Sequence, residues 1–166
     1  RSPENVVNEI KYLVNKFSVQ GIYFQDWEFL IDKNRVGKIC DLILATPELN
    51  KLKWGCNARA ADIDENIITK MKSAGCVRIN IGFESGSQKV VDLMEKRAKV
   101  ETAKRVFREA HEVGIRSRVC VIVGFPGEEE EDFEQTLDFL EENANYIECV
   151  FTNQMTLIRG IPVYED

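Results

Sequence analysis

Two stretches of this sequence break off in the same way, and they narrow the fold more than anything else in the chain. Ile79-Asn80-Ile81-Gly82-Phe83-Glu84-Ser85-Gly86-Ser87 and Val121-Ile122-Val123-Gly124-Phe125-Pro126-Gly127-Glu128 are each a short apolar run that ends in glycine beside a carboxylate or hydroxyl. Each then leads into helical periodicity. In a parallel α/β protein such a junction is where ligands bind. The strand fixes the backbone, glycine lets a ligand approach it, and the following helix offers free N–H groups. Two junctions about forty residues apart predict a repeated βα unit rather than an isolated motif.

The rest of the chain fits that unit. Val6, Val7, Ile10, Leu13, Val14 and Phe17 stand at helical spacing and predict a helix over 4–17. Ser2 is placed to cap it, with Pro3 at its first position and Asn5 where a capping box would carry Glu or Gln. Strands are predicted over 21–24, 52–56, 77–83, 116–123 and 147–152. Helices are predicted over 34–45, from a cap at Asp62 or Asp64 to 73, and over 88–94, 100–113 and 129–142. The order is α, then βα four times, then β, which means a parallel sheet with helical crossovers. An open doubly wound sheet and a partial barrel both satisfy it. Every predicted strand but the last is followed by polar groups: Asp26 and Glu28, then Arg59, then Glu84 and Ser85, then 124–128. An open sheet gathers such groups at one switch point and a barrel spreads them round its mouth, so the distribution favours the barrel.

Composition sets the outer limits. At 166 residues, 44% hydrophobic, the chain has material for one core and one domain. A net charge of −6 argues against a nucleic-acid partner. No apolar run approaches a membrane span, and no signal-peptide pattern opens the chain. The five cysteines, at 40, 56, 76, 120 and 149, fit neither a zinc site nor a disulfide framework and are expected to be buried thiols of a cytoplasmic protein. The chain opens on Arg1 without an initiating methionine and closes at 161–166 without a terminal helix, as a piece of a longer protein would.

Each polar candidate carries two readings. The turn at 124–128 has no Gly-Lys-Ser/Thr of a Walker loop and no GxGxxG, and a Pro-Gly after a strand is a common plain turn. The five acids of 128–132 also suit a helix N-terminus. Glu84 can accept from a ribose diol or an ammonium, or it can cap the next helix, as can Ser87. Asp26 and Glu28 can hold an amine or a metal, or stand solvated. Arg59 can clamp a carboxylate or pair with Asp62 or Asp64. His111, the only histidine, sits where it complements a helix C-terminus, which leaves no triad and no histidine-ligated metal. Acids, arginine and glycine without histidine point to a polar, zwitterionic ligand.

The chain resembles the core of the radical S-adenosylmethionine (SAM) superfamily, most closely the subgroup with an N-terminal cobalamin-binding domain, to which the anaerobic magnesium-protoporphyrin monomethyl ester cyclases belong. The resemblance rests on Arg1-Ser2-Pro3-Glu4-Asn5-Val6, Phe24-Gln25-Asp26-Trp27-Glu28-Phe29, Cys56-Asn57-Ala58-Arg59, and the two junctions. It implies an α/β fold, a partial (β/α) TIM-like barrel truncated at the N-terminus. It also implies SAM bound at a [4Fe–4S] cluster, reductive formation of a 5′-deoxyadenosyl radical, a small-molecule substrate, a reductant protein, and cobalamin in the full-length protein. By the same resemblance Asp26 and Glu28 stand where the methionine amine is received, and Glu84 and Ser85 meet the ribose or methionine end. Ile122 and Gly124 lie against adenine, Pro126 and Gly127 shape the turn, and Arg59 reaches the carboxylate or the substrate.

One departure matters. The family's cluster loop is Cys-x-x-x-Cys-x-x-Cys after its first strand, and these 166 residues hold no such triplet. The first strand and its loop are expected to be missing, and the chain on its own to be inactive, because three thiolates are needed to hold the cluster. Two rivals stand beside this reading: a barrel without a cluster that only binds a nucleotide or a partner protein, and an aldolase-like barrel pairing Glu84 with a lysine. Against the second, no lysine stands at the C-terminal end of a predicted strand.

Overall fold

The structure, a computed structural model, describes residues 1–96 and 98–156. The expectation placed on 161–166 lies outside them. Along the chain run α1 (Pro3–Phe17), β1 (Gly21–Tyr23), α2 (Lys33–Leu44), β2 (Lys53–Arg59), α3 (Glu65–Ser73), β3 (Cys76–Glu84), α4 (Gln88–Leu93), α5 (Val100–Glu112), β4 (Arg116–Val123), α6 (Glu130–Glu142) and β5 (Ile147–Gln154), with short 3-10 turns between.

Local chemistry sets most of the boundaries. Ser2 Oγ accepts from the Asn5 amide at 3.3 Å, with Pro3 at the first helical position. Asp64 rather than Asp62 caps α3, accepting from the Ile67 amide at 2.9 Å. Gly75 ends that helix at φ +96°, where a Cβ would lie 2.3 Å from the Leu52 carbonyl, so no side chain fits. The largest departure from expectation is β2, which continues past Cys56 to Arg59. Asn57, Ala58 and Arg59 pair with Asn80, Ile81 and Gly82 of β3, and this pairing carries the strand through residues of weak intrinsic β preference.

All five strands are parallel and lie in the order β1-β2-β3-β4-β5. A doubly wound sheet reverses strand order at its switch point, and this one does not. Right-handed crossovers taken always in the same direction place the helices on one face. The burial pattern follows. Cys56, Ala58, Ile79, Ile81, Val119 and Val121 join the apolar core with Ile39, Ile68, Met71 and Phe107 of the helices. Phe83 stacks on Phe139 with centroids 4.3 Å apart and meets Phe107 edge-on at 6.0 Å, which pins the end of β3. The alternate residues (Asn57, Arg59, Arg78, Asn80, Gly82, Arg118, Cys120) occupy the opposite face, which no helix covers among the described residues.

The cysteines divide along the same line. Cys40, Cys56 and Cys76 are buried thiols of the core, as expected, and burial pushes the Cys40 thiol up to about 12. Cys120 and Cys149 are only partly buried: they stand on β4 and β5, with Cys120 on the uncovered face. Among the described residues no helix is long and apolar enough to cross a membrane.

Candidate functional site

The C-terminal ends of β2 and β3 form one wall of a cavity of about 250 Å³, closed by α4, α5 and the segment between them. Arg59, Gly82, Glu84, Lys96 and Lys99 supply its polar groups, and Val91, Val100 and Ala103 its apolar floor. Glu84 is the last residue of β3 and adopts φ +72°, a left-handed conformation that a non-glycine residue takes only against a steric cost. The sheet register slips between Gly82 and Glu84, and such a bulge re-aims a side chain. Here it turns the carboxylate into the cavity wall, where Lys96 Nζ donates to its Oε1 at 3.1 Å. Lys96 had no sequence signal: it follows α4 and reaches back across that helix to the strand end.

Arg59 faces the same cavity between two carboxylates, Glu28 and Asp62, donating to Asp62 at 3.0 Å. Asp64 is not its partner; it pairs instead with Lys33 at 2.7 Å. The loop after β1 is thereby drawn to the end of β2. Asn57 strengthens that junction, its side-chain amide donating to the Asp26 carbonyl at 3.0 Å while its Oδ1 accepts from Tyr23 at 2.7 Å and Asn80 at 3.2 Å. Asn80 Oδ1 is buried without a hydrogen-bond partner, an acceptor facing the uncovered side of the sheet with capacity to spare. The Asp26 side chain itself is exposed.

The fourth strand ends differently. Gly124 has φ +79° and open space where a Cβ would be. Its N–H donates to Glu128 Oε2 at 2.5 Å, and the Glu128 amide donates to the Phe125 carbonyl at 2.9 Å. With Pro126 and then Gly127 at φ +88°, this is a type II turn whose positions two and three suit those residues. Ile122 is half-buried just before it.

Ser85 stands apart from the other candidates. Its hydroxyl is buried and turned toward α6, 3.1 Å from Thr136 Oγ1, and it accepts from the Ser87 amide at 3.1 Å. The Gly86 amide donates to Thr136 Oγ1 at 2.8 Å, and Ser87 donates to Asp132 at 2.6 Å rather than capping α4. Asp132 also accepts from Lys89 at 2.8 Å and the Glu129 amide at 3.0 Å. The hydrogen bonds from Lys89 and then Ser87 hold its carboxyl down at about 2. The structure thus gathers Glu28, Arg59 and Glu84 at one wall, with Asp26 and the Gly124 turn at the adjoining strand ends, and sets Ser85 into the scaffold behind them.

A profile of the radical SAM superfamily matches residues 1–140. The anaerobic magnesium-protoporphyrin IX monomethyl ester cyclase of Cereibacter sphaeroides is 32% identical over 138 residues, 82% of this chain and 22% of that protein. Its counterpart in Rubrivivax gelatinosus is 30% identical over the same share of this chain and 24% of its own. The chain therefore spans less than a quarter of these relatives. Among solved structures, the radical SAM methyltransferase TsrM from Kitasatospora setae, with cobalamin and a [4Fe–4S] cluster bound, superposes with a TM-score of 0.88 over 99% of this chain and 33% of its own, at 21% identity. That likeness makes the five-stranded sheet part of a TIM-like (β/α) barrel and its uncovered face the barrel's inner face. With the matched profile, the strand order and the grouped strand ends all in agreement, the chain belongs to the radical SAM superfamily.

Proposed function

We propose that the open ends of β1 to β4 bind the adenosyl part of SAM, and that the full protein is a radical SAM enzyme acting on a small-molecule substrate with electrons from a reductant protein. The observation that carries this is Glu84, held at φ +72° with its carboxylate at the cavity wall, placed to accept from a ribose diol. Arg59, lining the same cavity, is the group for a carboxylate. Gly124 leaves open space where a side chain would stand, beside Ile122, for the adenine, with Pro126 and Gly127 fixing the turn. Asp26 and Glu28 receive the amine end, and Ser85 acts through the turn it anchors. The orphaned acceptor of Asn80 suits a ligand that donates hydrogen bonds on the inner face.

In the full protein a [4Fe–4S] cluster would supply the electron for reductive cleavage of SAM and so the hydrogen-abstracting chemistry, while the strand-end residues here would hold the adenosyl part of SAM. The SAM side of that requirement fits the residues present; the cluster side does not. The five thiols are scattered along the chain with no Cys-x-x-x-Cys-x-x-Cys, and the described residues hold no group of three metal-binding side chains. The 166 residues alone are accordingly inactive: incubated with SAM and dithionite they yield no 5′-deoxyadenosine, and any that forms overturns this. Cobalamin enters as a further cofactor of the full protein, supported by likeness to TsrM, whose structure holds it; oxidative cyclisation and methylation are the two outcomes that the cyclases and TsrM suggest.

The direct test is binding of 5′-methylthioadenosine, which carries the adenosine part and needs no cluster. Glu84→Gln is expected to weaken it about ten-fold with helicity unchanged, as loss of charge-assisted hydrogen bonds implies. No binding by the wild-type chain, or equal binding by the variant, refutes the site. A cysteine triplet in the reading frame ahead of Arg1 separates the enzyme from a barrel that only binds a nucleotide.

A further inference from the structure

The inner face carries a second feature, below the cofactor end. Arg78 of β3 and Arg116 and Arg118 of β4 converge on one carboxylate, Glu148 of β5. Glu148 is there because the β4–β5 register slips: Ser117 pairs with Ile147 and Arg118 with Cys149, leaving Glu148 as the extra residue of a bulge. Arg78 donates at 3.1 and 3.4 Å, Arg116 at 2.8 Å and Arg118 at 3.1 Å. Three positive charges thus meet one negative charge among the described residues. Each guanidinium has five donors, and Glu148 engages only one or two of each. Arg118 also lies 5.5 Å over the Phe151 ring, which is 44% exposed, giving the cationic floor an apolar flank. This concentration of positive charge stands in a chain of net charge −6.

We infer that Arg78, Arg116 and Arg118 form an anion subsite that takes a carboxylate of the substrate. Charge complementarity carries the inference: among the described residues two guanidinium charges at one place lack a compensating acid and have planar donors left over, which matches a carboxylate in bidentate geometry. The subsite shares its face with Arg59 and Gly82. Arg118 lies four residues below Ile122, about 13 Å along the strand, so the substrate carries its acid on a stem away from the reacting carbon. This rests on the reading that the inner face holds substrate beneath SAM.

Citrate is the probe. Titrated into the full chain by calorimetry at low salt, it is expected to bind, and Arg118→Gln and Arg116→Gln are each expected to weaken it about ten-fold. Arg108→Gln, altering an exposed helical arginine, leaves it unchanged. Absence of citrate binding, or equal weakening by Arg108→Gln, overturns the subsite, as does an acidic segment of the longer protein seated on the three arginines. Methylthioadenosine titrated into the same variants keeps the two readings apart. If it never binds the wild type while citrate does, the cofactor reading fails and the anion subsite remains.

Discussion

The two junctions that look alike in sequence do different work. Both are strands that stop in glycine and acid before a helix. At the first, Ser85, Gly86 and Ser87 are sewn into α6 through Thr136 and Asp132, and Gly82, Phe83 and Glu84 line the cavity. At the second, nothing crowds Gly124, Pro126 and Gly127 are exposed, and the turn is held by its own Glu128. One junction spends its polar groups on the scaffold, the other leaves its backbone open. The lesson is that a hydroxyl beside a glycine marks a ligand site only where no neighbouring helix claims the hydroxyl first.

The largest expected effect is at Gly86. A Cβ there would lie 2.6 Å from the Gln135 carbonyl and 2.6 Å from Thr136 Cα, so Gly86→Ala forces α6 away and costs about 3 kcal/mol, read as a drop in urea midpoint. A loss below about 1 kcal/mol would mean the turn is not stapled to α6. Next is the acid limb. The Asp132 carboxyl is lowered from 3.8 to about 2, so its contribution is complete above pH 4 and is lost as pH falls toward 2. Asp132→Asn is expected to be less stable at neutral pH and to lose less on acidification across that window. An acid limb identical to wild type would break the first half of the comparison. The smallest stability effect belongs to Gly124→Ala, where only the left-handed conformation is strained, about 1 kcal/mol. Its signature is functional: methylthioadenosine affinity falls further than that loss of stability accounts for. A stability loss as large as that of Gly86→Ala would show both junctions to be scaffold.

Most of the fold was legible because it is written in periodicity: helical spacing, capping residues and glycine stops gave the order of elements and the barrel over the open sheet. The far end of β2 was not, since Asn57 and Arg59 are strand only by virtue of pairing with β3. The two-sidedness of the sheet was present in the sequence but easily passed over. Reading 77–83 as a plain apolar run hides the alternation of Arg78, Asn80 and Gly82 with Ile79, Ile81 and Phe83. Such alternation signals a sheet with one apolar and one polar face, whatever the strand direction. Of the site, the strand-end acids and Arg59 were accessible from sequence. Lys96 was not, because its approach to Glu84 depends on how α4 packs. The burial of Ser85 against Thr136 depends equally on a partner fifty-one residues away.

The strand order has a consequence for how such a molecule is made. Because each strand pairs with the one a single crossover earlier, no pairing waits for a distant part of the chain. The entropic cost of closing loops is met in small, similar steps. A nascent chain can lay down one unit on the previous one as it emerges, and a further strand added beside β1 or β5 disturbs no existing ladder. Growth by accretion at the edges is therefore open to this sheet.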